Sequence, residues 1–296
     1  MTFLGTMLQY KHHFATSAFS TALLNISLIL ALYFSQDKTQ GEIVYYLSWG
    51  VVVGGMMQLG VHIIAIQKMG LSKLLIGGFK HLRLKSKIIK KDTSKFRKQF
   101  FPAMWGNSTA QVSAFLDTFL ASFLVTGSIS YLYYANRIFQ LPLALFAIAT
   151  AVALFPRVAR YIKNKDENQA KAFMSKAFWF LAFLLTASTI GGIILAQEIT
   201  WLLFERGAFS SEDTSNTTAV LQMYMLGLLP FGLQKLFVLW LYAKEMQGKA
   251  ALIATYSLVT YITIALALIT PMGVSGLALA STIGGYVSFS LTIKTF

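Results

Sequence analysis

The sequence predicts an all-α integral membrane protein, a polytopic bundle of about eight transmembrane helices. Three observations predict this class. Of the 296 residues, 56% are hydrophobic and only 12% are charged, about half the charged share of a soluble domain. Several apolar stretches reach the length of about 20 residues that a helix needs to cross a bilayer. The sequence contains no cysteine, which excludes a disulfide framework, a thiol nucleophile and a cysteine-based metal site.

Eight segments meet the length requirement, and each is assigned as a helix because backbone groups inside lipid must be hydrogen-bonded within the segment. They are residues 14–34, 43–66, 101–125, 131–155, 173–196, 217–243, 250–270 and 273–293. The N-terminal apolar piece, residues 1–8, would rise only about 12 Å as a helix, which is too short to cross the bilayer. We therefore expect it to be the end of a helix whose beginning is absent, and the chain to be a fragment.

The loops between these spans alternate in charge. Residues 68–98 hold eleven Lys or Arg against one acid, Asp92, and the loops after the fourth and sixth spans are also basic. The loops between these are neutral or acidic, and the longest of them has four acids against Arg206. Loops rich in Lys and Arg stay on the cytoplasmic side of a membrane. Every second loop is therefore predicted to be cytoplasmic, and so is the C-terminus.

The basic stretch also divides the chain. It separates a two-helix part, residues 1–67, from a six-helix part, residues 100–296, with residues 68–99 as a cytoplasmic linker. The linker is expected to set the topology and to lie on anionic lipid. The alternative is that it also attracts an anionic lipid head group. Although the net charge is +14, the charges lie in short segments between apolar spans, so we expect membrane lipids and not nucleic acid as partners.

Three charged residues fall inside the predicted spans: Asp117, Arg137 and Lys235. A charge at the bilayer centre costs roughly 2.5–3.5 kcal/mol on insertion scales, so each needs a reason. Asp117 and Arg137 flank one short turn and are predicted to lie at similar depth, about 3 Å apart along the helix axes. Lys235 is explained most simply by its long side chain reaching the membrane surface.

Asp117 and Arg137 each belong to a polar helix face, which we expect to line a hydrated cavity. In it, Arg137 would hold an anionic group such as a phosphate, and Asp117 would bind a proton or a cation. The alternative is a buried ion pair between the two helices. The faces consist of Asn107, Gln111, Ala114, Asp117, Thr118 and Ala121 on the third span and Ser130, Tyr133, Arg137, Gln140, Ala144 and Ala151 on the fourth.

Proline and glycine mark special positions within the spans. Pro142 and Pro230 each remove a backbone hydrogen bond and are predicted to kink their helices. The glycine pairs are expected to mark close contacts between helices. They are Gly54 with Gly55, Gly191 with Gly192, and Gly284 with Gly285.

No catalytic motif is found in the sequence. It contains no HExxH zinc motif, no GxxxxGK[ST] phosphate loop and no GxSxG nucleophile elbow. We therefore expect no enzyme activity, no metal and no cofactor. The absence of a nucleotide-binding motor favours transport that is driven by an ion gradient, with Na⁺ or protons as the candidate coupling ions.

Residues 116–160, LDTFLASFLVTGSISYLYYANRIFQLPLALFAIATAVALFPRVAR, resemble the central signature of the MurJ (MviN) lipid II flippases. Residues 202–214, LLFERGAFSSEDT, resemble a loop of the same family. Residues 8–29 and 51–63 are similar to its fourth-to-sixth helix region. The family belongs to the superfamily of multidrug, oligosaccharidyl-lipid and polysaccharide exporters. The resemblance covers nearly the whole chain.

The resemblance implies a fold of two six-helix lobes around a central cavity, of which this chain holds the end of the first lobe and the whole second lobe. The implied function is to flip lipid II, an undecaprenyl-pyrophosphate-linked peptidoglycan precursor, across the bacterial inner membrane by alternating access. Lipid II is the implied partner, with other cell-wall synthesis proteins as candidates. One alternative is export of another polyprenyl-linked glycan or a drug. The other is a membrane scaffold for cell-wall enzymes that transports nothing.

The resemblance also assigns roles to residues. Arg137 matches a cavity arginine that the family needs, with Tyr133, Tyr134, Asn136 and Gln140 beside it as candidate substrate contacts. Many family members carry acids at the positions of Asn136 and Gln140. Asp117 resembles the position of a carboxylate or amide associated with a sodium site. Partners for it on the eleventh helix of the family are not evident in residues 257–269, SLVTYITIALALI.

Overall fold

A computed structural model describes residues 4–5, 7–8, 13–73, 77 and 87–296, and every segment of regular structure within these residues is helical. Much of the N-terminal piece, the middle of the predicted linker and the side chain of Asn107 lie outside the described residues. The described helices are α1 (Phe14–Ser35), α2 (Gln40–Lys68), α3 (Lys87–Ala121), α4 (Ser128–Pro142), a π-helical segment (Leu143–Ile148), α5 (Ala149–Lys163), α6 (Glu167–Ile194), α7 (Ala196–Phe204), α8 (Ser211–Met225), α9 (Leu228–Ala243) and α10 (Gln247–Ile293).

The described helices have the length and surface of a multi-pass membrane protein. Four helical stretches are long and apolar enough to cross a bilayer, and α8 with α9 forms a fifth if its 41° bend lies within one span. Large apolar side chains stay exposed, among them Trp179 at 70% and Phe183 at 73%. Such an apolar surface is favourable in contact with lipid and unfavourable in contact with water. The predicted fold class is therefore confirmed, while the number of eight spans stays a prediction.

The longest helix, α10, is a hairpin. A straight helix of its 47 residues would be about 70 Å long, more than twice the hydrocarbon thickness. Gly273 interrupts it with a left-handed φ of 57°. On either side of the break, the Ser257 hydroxyl donates to the Gly284 carbonyl at 2.8 Å, although 27 residues separate them. The two arms are therefore antiparallel and correspond to the last two predicted spans.

The chain divides into two compact units, Met1–Ile89 and Lys90–Phe296. In the first, α1 and α2 pack as a pair, and the Ser27 hydroxyl donates to the Gly50 carbonyl at 2.8 Å. A Cβ atom added to Gly54 would lie 3.1 Å from the Leu24 Cα, so the two backbones approach closely there. Small residues permit this approach, which is how helices associate in membranes.

In the second unit, the bent pair α8 and α9 forms the centre. It packs against α4, the π-helical segment, α5, α6 and α10. Its side chains Leu221, Leu228 and Leu236 are fully buried. Pro230 follows the bend between the two helices, and Pro142 immediately precedes the π-helical segment. The 41° bend beside Pro230 agrees with the predicted kink, while at Pro142 the helix type changes and a kink there stays a prediction.

Candidate functional site

Helix α4 has one face in the core and one face that is exposed. Phe139 and the other apolar residues of the inner face are buried, whereas Ser130, Tyr133, Arg137 and Gln140 are exposed at helical spacing. The polar face that the sequence predicts on this span therefore exists. It ends earlier than predicted, because Ala151 is buried at 8% exposure in the packed part of α5.

Arg137 is the charged residue of this face, and Tyr133 holds its side chain. The guanidinium Nη2 donates to the Tyr133 hydroxyl at 2.9 Å, and Cζ lies 4.6 Å from the centre of the same ring. The two residues are one helical turn apart, the spacing at which side chains on a helix meet. Among the described residues no carboxylate forms an ion pair with Arg137. Its N–H donors beyond the one to Tyr133 point to an exposed face, where an anionic ligand can reach them.

Asp117 lies in α3 and is bonded to a residue far along the chain. Its Oδ1 accepts a hydrogen bond of 2.6 Å from the hydroxyl of Tyr261, a residue of α10 that is 3% exposed. The Asp117–Arg137 ion pair, which the sequence leaves open, is not formed: the two side chains have different partners. Asp117 is half-buried, whereas its neighbours Gln111, Ala114 and Thr118 are exposed.

Further polar groups connect the surroundings of Asp117 to α4. The buried Tyr224 of α8 lies near both Asp117 and the side chain of Asn136. The amide of Gln140 donates in turn to the Asn136 side-chain oxygen. Asn136 and Gln140, predicted as substrate contacts, are thus also bonded within the protein. The Asn136–Gln140 bond lies within α4, whereas Asp117 is bonded to α10.

Tyr134, the remaining predicted substrate contact, points to a different place. Its ring centre lies 4.6 Å from that of Phe204 and 5.3 Å from that of Phe209. Phe204 ends α7, and Phe209 lies in the loop before α8. Tyr134 therefore packs against the loop of the ERGAF sequence and not against Arg137.

The ERGAF loop, residues 205–210, is held by polar contacts to α8, which is bonded in turn to α4. Ser210 and Asp213 form a capping box that starts α8. Asp213 also accepts a 2.8 Å hydrogen bond from Tyr131 of α4, and Thr214 donates to Glu205 at 2.6 Å. Gly207 has a φ of +62°, a conformation that glycine adopts without strain.

A cavity of about 610 Å³ lies between this loop and the first turns of α4. Tyr134 lines it, and Arg137, three residues further along α4, does not. Within the described residues, no group of three His, Asp or Glu side chains could hold a metal ion. The chemistry available here is therefore that of guanidinium, carboxylate, hydroxyl and aromatic groups.

Comparison with known proteins finds one family. The family model described as "Lipid II flippase MurJ" matches residues 1–295. A probable lipid II flippase MurJ of Helicobacter pylori (strain ATCC 700392 / 26695) is 52% identical over 303 residues, covering 100% of this chain and 66% of that protein. That of Rhizobium meliloti is 31% identical over 291 residues, covering 98% of this chain and 52% of that protein. The chain thus spans less than two thirds of the length of these relatives.

Solved structures agree on the fold. A lipid II flippase MurJ in an inward closed conformation superimposes with a TM-score of 0.76 at 25% identity, covering 99% of this chain and 58% of that one. A variant of the Vibrio cholerae MATE transporter VcmN gives a TM-score of 0.73 at 14% identity, covering 99% and 64%, and shares the fold alone. The match along almost the whole chain and the two relatives lead to one conclusion: this chain is a multi-pass membrane protein of the MurJ lipid II flippase family.

Proposed function

We propose that this chain takes part in flipping lipid II across the bacterial inner membrane, with Arg137 binding the diphosphate of the lipid. One observation supports this role most directly. Arg137 lies within a membrane-crossing stretch, is exposed, and forms no ion pair among the described residues. An unpaired guanidinium in a membrane is costly. A diphosphate would supply the missing charge and would accept two parallel N–H bonds from the planar fork.

Three of the other predicted contacts are proposed to support this role, and Tyr134 is not among them. Tyr133 orients the guanidinium through its hydroxyl and ring. Gln140 and Asn136 provide amide groups on the adjacent turn of α4. Alternating access would then move the bound lipid as the two lobes rock, the mechanism expected of transporters with the binding site between repeats. Residues 1–67 are proposed to end the first lobe and residues 100–296 to form the second.

We also infer that Asp117 is the ion-coupling residue, for Na⁺ or for a proton. The support is that its carboxylate falls within the predicted third span, is half-buried and is bonded to Tyr261. A carboxylate in this position is expensive unless it is neutralised by a cation, a proton or a donor. The charge alternation of the loops supports an inner-membrane location with a cytoplasmic C-terminus.

The proposed role of Arg137 is tested in the chromosomal copy of the gene, with a second flippase under an inducible promoter. When that flippase is depleted, Arg137→Ala should stop growth and Arg137→Lys should restore it in part, because lysine keeps the charge but loses the fork. Arg160→Ala, which removes an exposed arginine at the end of α5, is the matched control and should grow normally. Normal growth of Arg137→Ala would contradict this role, whereas no growth of the unmodified strain after depletion would favour the scaffold alternative.

A further inference from the structure

The cavity beside the ERGAF loop has the composition of a binding site. We call it the aromatic pocket, and its key residues are Ser130, Tyr134, Phe204, Arg206, Phe209 and Asp213. Its volume of about 610 Å³ is within the usual range for small-molecule sites, which is about 300–1,000 Å³. None of these residues is needed for the proposed diphosphate contact or for ion coupling.

Three rings form one wall of the aromatic pocket. Besides its contacts with Tyr134, Phe204 lies 6.0 Å from Phe209 between ring centres, so the three rings form one contiguous cluster. All three are only half-buried, so part of each ring remains open. The polar contacts of the ERGAF loop fix this wall in place before any ligand arrives, which lowers the entropic cost of binding.

Polar groups provide the rest of the pocket. Ser130 is exposed on the first turn of α4. Arg206 is exposed and donates one of its N–H groups to the Leu203 carbonyl, which leaves donors of its planar fork for a ligand. The Asp213 carboxylate accepts bonds from Tyr131 and from Ser210 and still has acceptor capacity. A flat ligand with an apolar face and a rim of hydroxyl or acetamido groups matches this combination.

The position of the pocket selects a sugar among such ligands. Tyr134 precedes Arg137 by three residues, a rise of about 4.5 Å along α4. Tyr133, which holds Arg137, lies 5.9 Å from Tyr134 between ring centres. A group attached directly to a diphosphate on Arg137 would meet the pocket if it extended along α4 toward its first turns. In a lipid-linked glycan that group is a pyranose.

We propose that the aromatic pocket binds the N-acetylated amino-sugar portion of the transported lipid. This rests on the proposed function, because the diphosphate on Arg137 places the sugar. The rings would stack against the pyranose faces, while Ser130, Arg206 and Asp213 bond its hydroxyl and acetamido groups. By the charge of its loops this end of the protein faces outward. The pocket would therefore hold the sugar as the head group leaves the cavity.

The test uses the full purified protein and the soluble probe N,N′-diacetylchitobiose, an amino-sugar disaccharide without phosphate or lipid. Saturation-transfer NMR should detect binding to the unmodified protein. Phe209→Ala should reduce the signal at least fivefold, and Phe209→Tyr should keep it, because tyrosine preserves the ring. Phe123→Ala, which removes an exposed ring outside the pocket, is the matched control and should bind normally. Ser130→Trp, which fills the cavity from α4 and leaves Phe209 in place, should also abolish the signal.

The same experiment separates the two proposals. Arg137→Ala should still bind the disaccharide, and inorganic pyrophosphate should not compete with it, because the sugar and diphosphate contacts are separate. No binding by the unmodified protein, or equal binding by Phe209→Ala and Ser130→Trp, would overturn the pocket assignment. The proposed function would fail if Arg137→Ala flipped lipid II at the rate of the unmodified protein. In that case the disaccharide signal would still be present.

Discussion

Asp117 can be identified as a candidate site residue from the sequence alone, whereas its hydrogen-bond partner Tyr261 cannot. A charge inside an apolar run is visible in the sequence, so Asp117 and Arg137 are recognised as candidates from residue type and position alone. Tyr261 is not, because a tyrosine in an apolar helix is ordinarily a packing residue, and 144 positions separate it from Asp117. The sequence does not predict the position of Tyr224 near Asp117, for the same reason. The charged residues inside apolar segments are therefore predictable from the sequence, and the side chains that bond to them are not.

The Asp117–Tyr261 contact leads to a prediction about ion dependence. Asp117→Asn removes the negative charge and should reduce flipping at least tenfold, with loss of the response to the coupling ion. Tyr261→Phe removes only the hydroxyl and keeps the carboxylate, so it should cause a smaller decrease. The measurement is the flipping rate at varied Na⁺ and at varied pH.

Tyr256→Phe is the matched control for Tyr261→Phe. It removes a hydroxyl from an exposed ring on the same arm of α10 and should leave both the rate and the ion response unchanged. An Asp117→Asn protein with the rate and ion response of the unmodified protein would exclude Asp117 as the coupling residue.

At the scale of helices, the sequence predicts positions better than it predicts geometry. Each predicted span is matched by described helical residues, because a run of apolar residues in lipid has no alternative to helix. The left-handed residue inside α10, the π-helical segment after Pro142 and the short α7 are not predicted. They depend on how neighbouring helices satisfy the backbone at each break, which is tertiary information.

The glycine pairs show the same limit. Within each of the first two pairs only one glycine, Gly54 or Gly192, lies close to a neighbouring helix, whereas Gly55 and Gly191 have open space where a Cβ would be. In the third pair both Gly284 and Gly285 are in close contact. A glycine pair therefore predicts the region where two helices come close. The rotation of the helix about its own axis determines which of the two glycines contacts the neighbouring helix.

Gly54 and Gly55 therefore provide a matched test of helix packing. Gly54→Leu places a side chain against Leu24 and Ser27 of α1 and should destabilise the α1–α2 pair by about 1–3 kcal/mol, the usual cost of overpacking. Gly55→Leu adds the same side chain to open space and should be neutral or slightly stabilising. Thermal unfolding of the purified protein in detergent measures both. Equal midpoints for the two variants would contradict the described contact.

At the scale of the whole molecule, the charge pattern of the loops makes a prediction about topology. The chain has no cysteine, so single cysteines introduced into it can be labelled without background from its own residues. Thr126→Cys lies in the turn between α3 and α4 and should react with a membrane-impermeant maleimide in intact cells. Asn168→Cys and Lys294→Cys should react only after the membrane is permeabilised. All three positions are exposed, so access and not burial decides the result.

Labelling of Asn168→Cys in intact cells, or protection of Thr126→Cys there, would reverse the proposed orientation. It would also place the aromatic pocket at the cytoplasmic end, where it would meet the sugar on entry. The fold itself would be unaffected, because the family match and the helix assignments do not depend on orientation.

We propose above all that the guanidinium of Arg137 binds the diphosphate while the lipid moves between the leaflets. The most direct measurement is the fraction of lipid II that an externally added lipid II-cleaving enzyme can reach in intact cells that carry this protein and have been depleted of any other flippase. Arg137→Ala should lower this fraction at least tenfold while total lipid II rises, and Arg160→Ala should leave both unchanged. An accessible fraction in Arg137→Ala cells equal to that of the unmodified strain would contradict the claim.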